Sequence, residues 1–158
     1  VVAAAPARSE ADYAKYIGGR EYVSVVFGQS YAVMRHAKAA VVNSGTASLE
    51  CALVGTPQVV AYKGAEINFL IAKAIIKIRY ISLGNLILDR ICFRELLQYY
   101  FTPDNVLFEV RRMIEDEEYR SAMLEGYREI RDALGGEGAS AAVARAMIEE
   151  LRKQDRVQ

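Results

Sequence analysis

Short, unbroken apolar runs alternate with helix-patterned segments through the first half of this 158-residue chain, and that alternation restricts the fold more than any other feature. "VVAAA", "EYVSVVF", "AAVVN" and "PQVVAY" are rich in Val and lack the apolar–polar alternation of a half-exposed antiparallel strand. Runs of this kind suit strands covered on both faces, with the intervening helices as the cover. Strand–helix alternation in turn implies crossover connections and a parallel sheet. The expected class is α/β, a Rossmann-like parallel sheet with flanking helices.

The helices between these strands are expected from about Ser9 to Ile17 after the Pro6 break, over "QSYAVMRHA", through Leu53, and over Ile67–Ile78. "YISL" reads as a fifth, short strand. After Asn85 the pattern turns helical. "FRELLQYY" reads as a helix start. "TPDNVLFEVRRMIED" has Thr102 as N-cap with Pro103 at the first helical position. "EEYRSAMLEGYREIRDAL" is an amphipathic helix with a stop at Gly135-Gly136. The expected division is a sheet domain over residues 1–134 and an amphipathic C-terminal helix within 135–158. The apolar face of that helix (Ala142, Val143, Ala146, Met147, Leu151) needs a partner domain or chain.

Lys+Arg and Asp+Glu both number 20, so the formal charge is zero and the basic excess of a nucleic-acid binder is missing. Cys51 and Cys92 have no metal-ligand spacing and read as reduced, cytosolic thiols. "NFLIAKAIIKI" is too short and too charged to span a bilayer. The chain opens without Met at an apolar run with no basic leader, which reads as the middle of a longer protein rather than a secretory signal.

The candidate chemistry lies in "AVVNSGTASLECALVGTPQVVAYKG", Ala40 to Gly64. In an open parallel sheet, ligands gather where strands end and helices begin. Ser44 is a good N-cap residue, Gly45 permits close approach, and Thr46 adds a hydroxyl donor. The free N–H groups and dipole of a helix start favour an anion. Thr46 and Glu50 share a helix face with a rise of about 6 Å, so an anion at the tip that carried a ribose would bring its hydroxyls to the carboxylate. A plain helix cap is the alternative. A serine nucleophile is disfavoured, because "VNSGT" is not G-x-S-x-G and His36 is the sole histidine. No G-K-[ST] follows, so the turn is not a P-loop.

From about Gly28 to Leu134, "NSGTASLECALVGTPQVVAYK", "YISLGNLILDR", "ELLQ" and "TPDN" together resemble lipid-A-disaccharide synthase. The resemblance implies the C-terminal half of a glycosyltransferase B fold. It also implies an activity that joins UDP-2,3-diacylglucosamine to 2,3-diacylglucosamine 1-phosphate with release of UDP. No cofactor is implied. The substrate-binding residues carried over are Ser44, Gly45 and Thr46 at the diphosphate and Glu50 at the ribose. Gly28 and Gln29 fall near the nucleotide, and Asn85 and Arg90 along the cleft. The catalytic base would belong to an N-terminal domain outside this sequence. Four positions depart from the family pattern: Gly84 for Pro, Asp89 for Gly, Ile91 for Glu, and Lys38 for Asp. Gly84 implies a looser cleft loop.

The same resemblance implies that the central first strand of the sheet lies upstream of Val1. The neighbouring strands would then present unpaired edges, and the 158 residues alone would be inactive. Expected partners are the UDP-diacylglucosamine donor, the lipid acceptor, the N-terminal domain and a second copy joined through the C-terminal helix. The expected location is cytoplasmic, peripheral to the inner membrane of a Gram-negative bacterium. There the apolar residues of "YKGAEINFLIAKAIIKIRY", with Lys63, Lys73, Lys77 and Arg79, would meet anionic lipid. Alternatives are another UDP-N-acetylglucosamine transferase, a 2-epimerase of the same fold, or a non-catalytic remnant.

Overall fold

The computed structural model of the chain describes residues 1–64, 79–135 and 144–148. In chain order the elements are β1 (Val2–Ala4), α1 (Glu10–Ile17), β2 (Val25–Phe27), α2 (Ser30–His36), β3 (Ala40–Asn43), α3 (Thr46–Val54) and β4 (Gln58–Tyr62). They are followed by α4 (Leu83–Leu88), β5 (Glu95–Leu97), a 3₁₀ turn (Gln98–Tyr100), α5 (Pro103–Glu115) and α6 (Glu117–Leu134).

All strand pairs are parallel, as the alternation implies. β1 pairs with β2, Val2 beside Val25. β3 pairs with β4, Ala40 beside Gln58, and β4 with β5, Val60 beside Glu95. Among the described residues the strands form two sheets, β1-β2 and β3-β4-β5. A doubly wound sheet of order 3-2-1-4-5-6 with its first strand removed leaves the pieces 3-2 and 4-5-6. The two sheets have the strand numbers of those pieces, and among the described residues β1 and β3 each have a strand neighbour on one side only.

The core is the three-stranded sheet packed by α3, α5 and α6. Val59 and Val60 of β4, Ala52 of α3, Met113 of α5, and Met123, Tyr127 and Ile130 of α6 close around Phe93 and Leu96. Phe93 and Tyr127 meet edge-on with ring centroids 6.0 Å apart, an arrangement that suits the aromatic quadrupole. Burying each such side chain contributes about 1.5–3 kcal/mol. The cover is uneven. Central β4 is buried from Gln58 to Ala61, whereas β3, at the edge of its sheet, leaves Val41 49% exposed.

The start of α5 and the end of α6 agree with the sequence reading; the Asp116 cap between them was not named there. The Thr102 hydroxyl accepts from the Asn105 N–H and Pro103 opens α5. Asp116 accepts from the Tyr119 N–H at the start of α6, which ends at Leu134 with Gly135 as C-cap.

Three expectations are corrected. "YISL" is not a strand; it leads into α4, a helix the sequence reading did not anticipate. "ELLQ" does not begin a helix. Glu95–Leu97 pairs with β4, burying Leu96, and Gln98 turns the chain with φ 48°, which no α-helix adopts. Ser44 is not the N-cap of α3; Gly45 is. The helix expected over Ile67–Ile78 and most of the C-terminal helix lie outside the described residues. Residues 144–148 are helical and exposed. Among the described residues no helix is long and apolar enough to cross a membrane, and no cluster of metal-ligating side chains occurs.

Candidate functional site

Parallel strands place their C-terminal ends on one side, and Ser44, Gly45 and Thr46 follow the end of β3 there. Gly45 has φ 142° and ψ −161°, a backbone state that a side chain would strain. No side chain caps α3, so the Thr46 and Ala47 N–H groups at its start are left without an intrahelical partner. The Gly45 carbonyl is occupied, accepting from the Ser48 hydroxyl at 2.7 Å and the Ser48 N–H at 3.2 Å. Ser44, freed from capping, donates from its hydroxyl to the Ile81 carbonyl at 3.4 Å. The result is an open helix tip, the electropositive end of a nine-residue helix.

Glu50 lies in the second turn of α3, half-buried, facing α2. Its carboxylate accepts from the Tyr31 hydroxyl. That hydrogen bond, and then the negative charge itself, hold the Tyr31 phenol above its ordinary pKa. Gly28 and Gln29 sit immediately before α2, both exposed, with Gly28 in the left-handed region at φ 66° and Gln29 as N-cap. The Tyr31–Glu50 contact therefore joins the Gly28-Gln29 turn to the Ser-Gly-Thr helix. Tyr31 was not singled out from sequence. Its position two residues after Gln29 in the helix start is the one signal it offers.

Asn85 is placed differently from a cleft residue. It is fully buried in α4, and the chain itself uses its whole hydrogen-bonding capacity. Oδ1 accepts from the N–H groups of Cys92 (2.8 Å) and Phe93 (3.3 Å); Nδ2 donates to the Phe93 carbonyl and to Glu95, both at 2.9 Å. Glu95 in turn accepts from the N–H groups of Ile81 and Ser82, each at 3.0 Å, and from the Ser82 hydroxyl. Asn85 thus reaches the Ser-Gly-Thr turn only through this network.

Arg90 is not brought to the site. It follows α4 and pairs with Glu129 of α6 at 2.6 Å. The departures around it have local reasons. Asp89 is the left-handed C-cap of α4 at φ 47°, a place where Gly is favoured and Asp tolerated. Gly84 is not in a loose loop: it is buried in the first turn of α4, where a Cβ would lie 2.8 Å from the Phe93 ring and 3.0 Å from Ile130. Ile91 is 57% exposed. Both thiols are buried, and burial pushes Cys51 and Cys92 each up to about 11. A shallow groove along α5, lined by Leu107, Phe108, Arg111 and Glu115 among others, includes none of the candidate residues.

The profile of the family described as "Lipid-A-disaccharide synthetase" matches residues 15–147, the stretch from α1 to the C-terminal helical segment. The chain belongs to the lipid-A-disaccharide synthetase family. Among curated relatives named lipid-A-disaccharide synthase, that of Trichlorobacter lovleyi is 35% identical over 90% of this chain and 38% of its own length. That of Anaeromyxobacter dehalogenans is 33% identical over 96% of this chain and 40% of its own. The Myxococcus xanthus protein is 38% identical over 80% and 33%. The chain therefore spans about two-fifths or less of the curated relatives it matches. Lipid-A-disaccharide synthases are glycosyltransferases of lipid A biosynthesis, and the parallel α/β architecture described above fits half of such an enzyme.

Proposed function

We propose that this chain is the donor-binding half of a glycosyltransferase that joins UDP-2,3-diacylglucosamine to 2,3-diacylglucosamine 1-phosphate, releasing UDP and forming the lipid A disaccharide precursor. The observation that carries the reading is the uncapped start of α3 at Gly45, with Glu50 one turn further along the same helix. The donor diphosphate meets the N–H groups of the first turn and the Thr46 hydroxyl. Ser44, held by its hydroxyl's bond to the Ile81 carbonyl, borders the diphosphate at the start of this turn. The ribose hydroxyls take the Glu50 carboxylate, displacing Tyr31, and the Gly28-Gln29 turn borders the nucleotide. Asn85 contributes by position, and Arg90 by bracing α4 against α6.

The chemistry asked of this half is leaving-group stabilisation. As the acceptor 6-hydroxyl attacks the anomeric carbon, the bond to UDP breaks and negative charge gathers on the diphosphate. Fixed N–H dipoles at that place stabilise the transition state more than the ground state. Deprotonation of the acceptor falls to a base on an N-terminal domain. That domain, the first strand between β1 and β3, and a second copy engaging the C-terminal helix complete the proposed assembly. It works on the cytoplasmic face of the inner membrane, with the apolar and basic stretch around Lys73 and Lys77 toward lipid.

Calorimetric titration of the full-length protein tests the reading. UDP is expected to bind the wild type. Glu50→Ala is expected to weaken UDP by about tenfold, the range for hydrogen bonds to a charged group, while leaving pyrophosphate unchanged. Equal losses for both ligands would remove Glu50 from the ribose, and no UDP binding by folded wild type would contradict the function.

A further inference from the structure

The "ELLQ" stretch has two polar residues, and both grip the connection between β4 and α4. The side chain of Gln98, 6% exposed, accepts from the Gly64 N–H at 3.1 Å and donates to the Gly64 carbonyl at 3.3 Å. Its positive φ of 48° is a strained state for a residue with a side chain, held by this two-way bond. Glu95 grips the far end of the same connection. Oε2 accepts from Ile81, and Oε1 accepts from the Ser82 N–H, the Ser82 hydroxyl and Asn85. Ser82 and Asn85 are fully buried. Only an ionised carboxylate offers acceptors to four converging donors; an amide would turn an NH₂ group toward N–H groups. One further link leads outward, because the Ile81 carbonyl accepts the Ser44 hydroxyl.

We propose that Glu95 is a positioning residue of the diphosphate site, fixing Ile81 so that its carbonyl orients Ser44 beside the α3 tip. The inference rests on the proposed diphosphate site and assigns Glu95 no contact with ligand. It separates the two ends of the nucleotide: disturbing Glu95 misplaces Ser44 but leaves the Glu50 end intact.

The test compares UDP with uridine in the full-length protein, by calorimetry for UDP and ligand-detected NMR for uridine. Glu95→Gln is expected to weaken UDP about tenfold and leave uridine unchanged. Glu95→Asp keeps the charge but shortens the reach, and is expected to fold and to weaken UDP about threefold, again sparing uridine. In a Ser44→Ala background, where the link to Ile81 is already cut, Glu95→Asp is expected to cost nothing further. A lower melting temperature with unchanged UDP affinity would overturn the proposal and leave Glu95 a structural residue. So would a loss shared equally by UDP and uridine. Wild-type protein that binds uridine but not UDP would remove the diphosphate site itself, and Glu95's role with it.

Discussion

The Tyr31 hydroxyl donates to the Glu50 carboxylate, joining the first turn of α2 to the second turn of α3. A hydroxyl already stands where a ribose hydroxyl is proposed to bind. Tyr31 therefore competes with the nucleotide for Glu50. Tyr31→Phe removes the competitor, and UDP is expected to bind about threefold tighter, the scale of one net hydrogen bond. Calorimetry checks this; weaker binding would mean that Tyr31 itself touches the nucleotide.

The same contact has a titration signature. Glu50 raises the Tyr31 pKa, so the phenol keeps its proton to higher pH than an isolated tyrosine. The contribution to stability is complete below the ordinary phenol value and is lost as pH rises through the raised one. Glu50→Gln is expected to bring Tyr31 back toward its ordinary value. The check is the difference absorbance at 295 nm between matched proteins with and without Tyr31→Phe.

Asn85 holds Cys92, Phe93 and Glu95 with a fully buried side chain. Asn85→Ala would strand these groups away from water. Destabilisation of about 3 kcal/mol is expected, lowering the melting temperature by about 6–12 °C in a domain of this size. Differential scanning calorimetry gives the answer, and a near-neutral result would contradict the buried network.

How much of this was open to sequence reading follows from what each residue depends on. The first four strands are legible because Val-rich runs bounded by turn residues state their own preference. The cap at Thr102 and the stop at Gly135 are local chemistry as well. β5 is a different case: "ELLQ" has helix-favouring residues, and its strand state is imposed by pairing with β4 and by bonds from Glu95 and Gln98 to distant backbone. Asn85 and Arg90 are visible as residues to note, but their surroundings are not. Four hydrogen bonds to Cys92, Phe93 and Glu95 make Asn85 structural, and Glu129, 39 positions away, draws Arg90 to α6. The Ser-Gly-Thr turn is legible as a helix start, but the capping residue is displaced by one, because the Gly45 backbone rather than the Ser44 side chain enters the helix.

Gly126, in the middle of α6, illustrates the same dependence. A Cβ there would lie 2.3 Å from the Cys92 sulfur. Alanine is the better helix former by about 1 kcal/mol, yet Gly126→Ala is expected to lower stability by about 1–3 kcal/mol through overpacking. Adding Cys92→Ala should recover most of that loss. Chemical denaturation of the four proteins of the cycle measures the coupling, and additive losses would mean that the clash is relieved elsewhere.

Asp116 caps α6, and the Tyr119 N–H, foremost, holds its carboxyl below the usual carboxylate value of 3.8. A lowered folded pKa contributes stability above 3.8 that is lost as pH falls through the lower folded value. Asp116→Ala is therefore expected to lower the melting temperature at pH 7, with the difference from wild type shrinking as pH drops below about 4. A difference constant across that range would contradict the cap as the cause.

The most direct test of the central claim is a UDP titration of the full-length protein followed at the backbone amides by heteronuclear NMR. The account expects saturable shifts largest at Gly45, Thr46 and Ala47, the open first turn of α3, with smaller ones at Tyr31 and Glu50. Saturable UDP binding that leaves those three amides unmoved would contradict it.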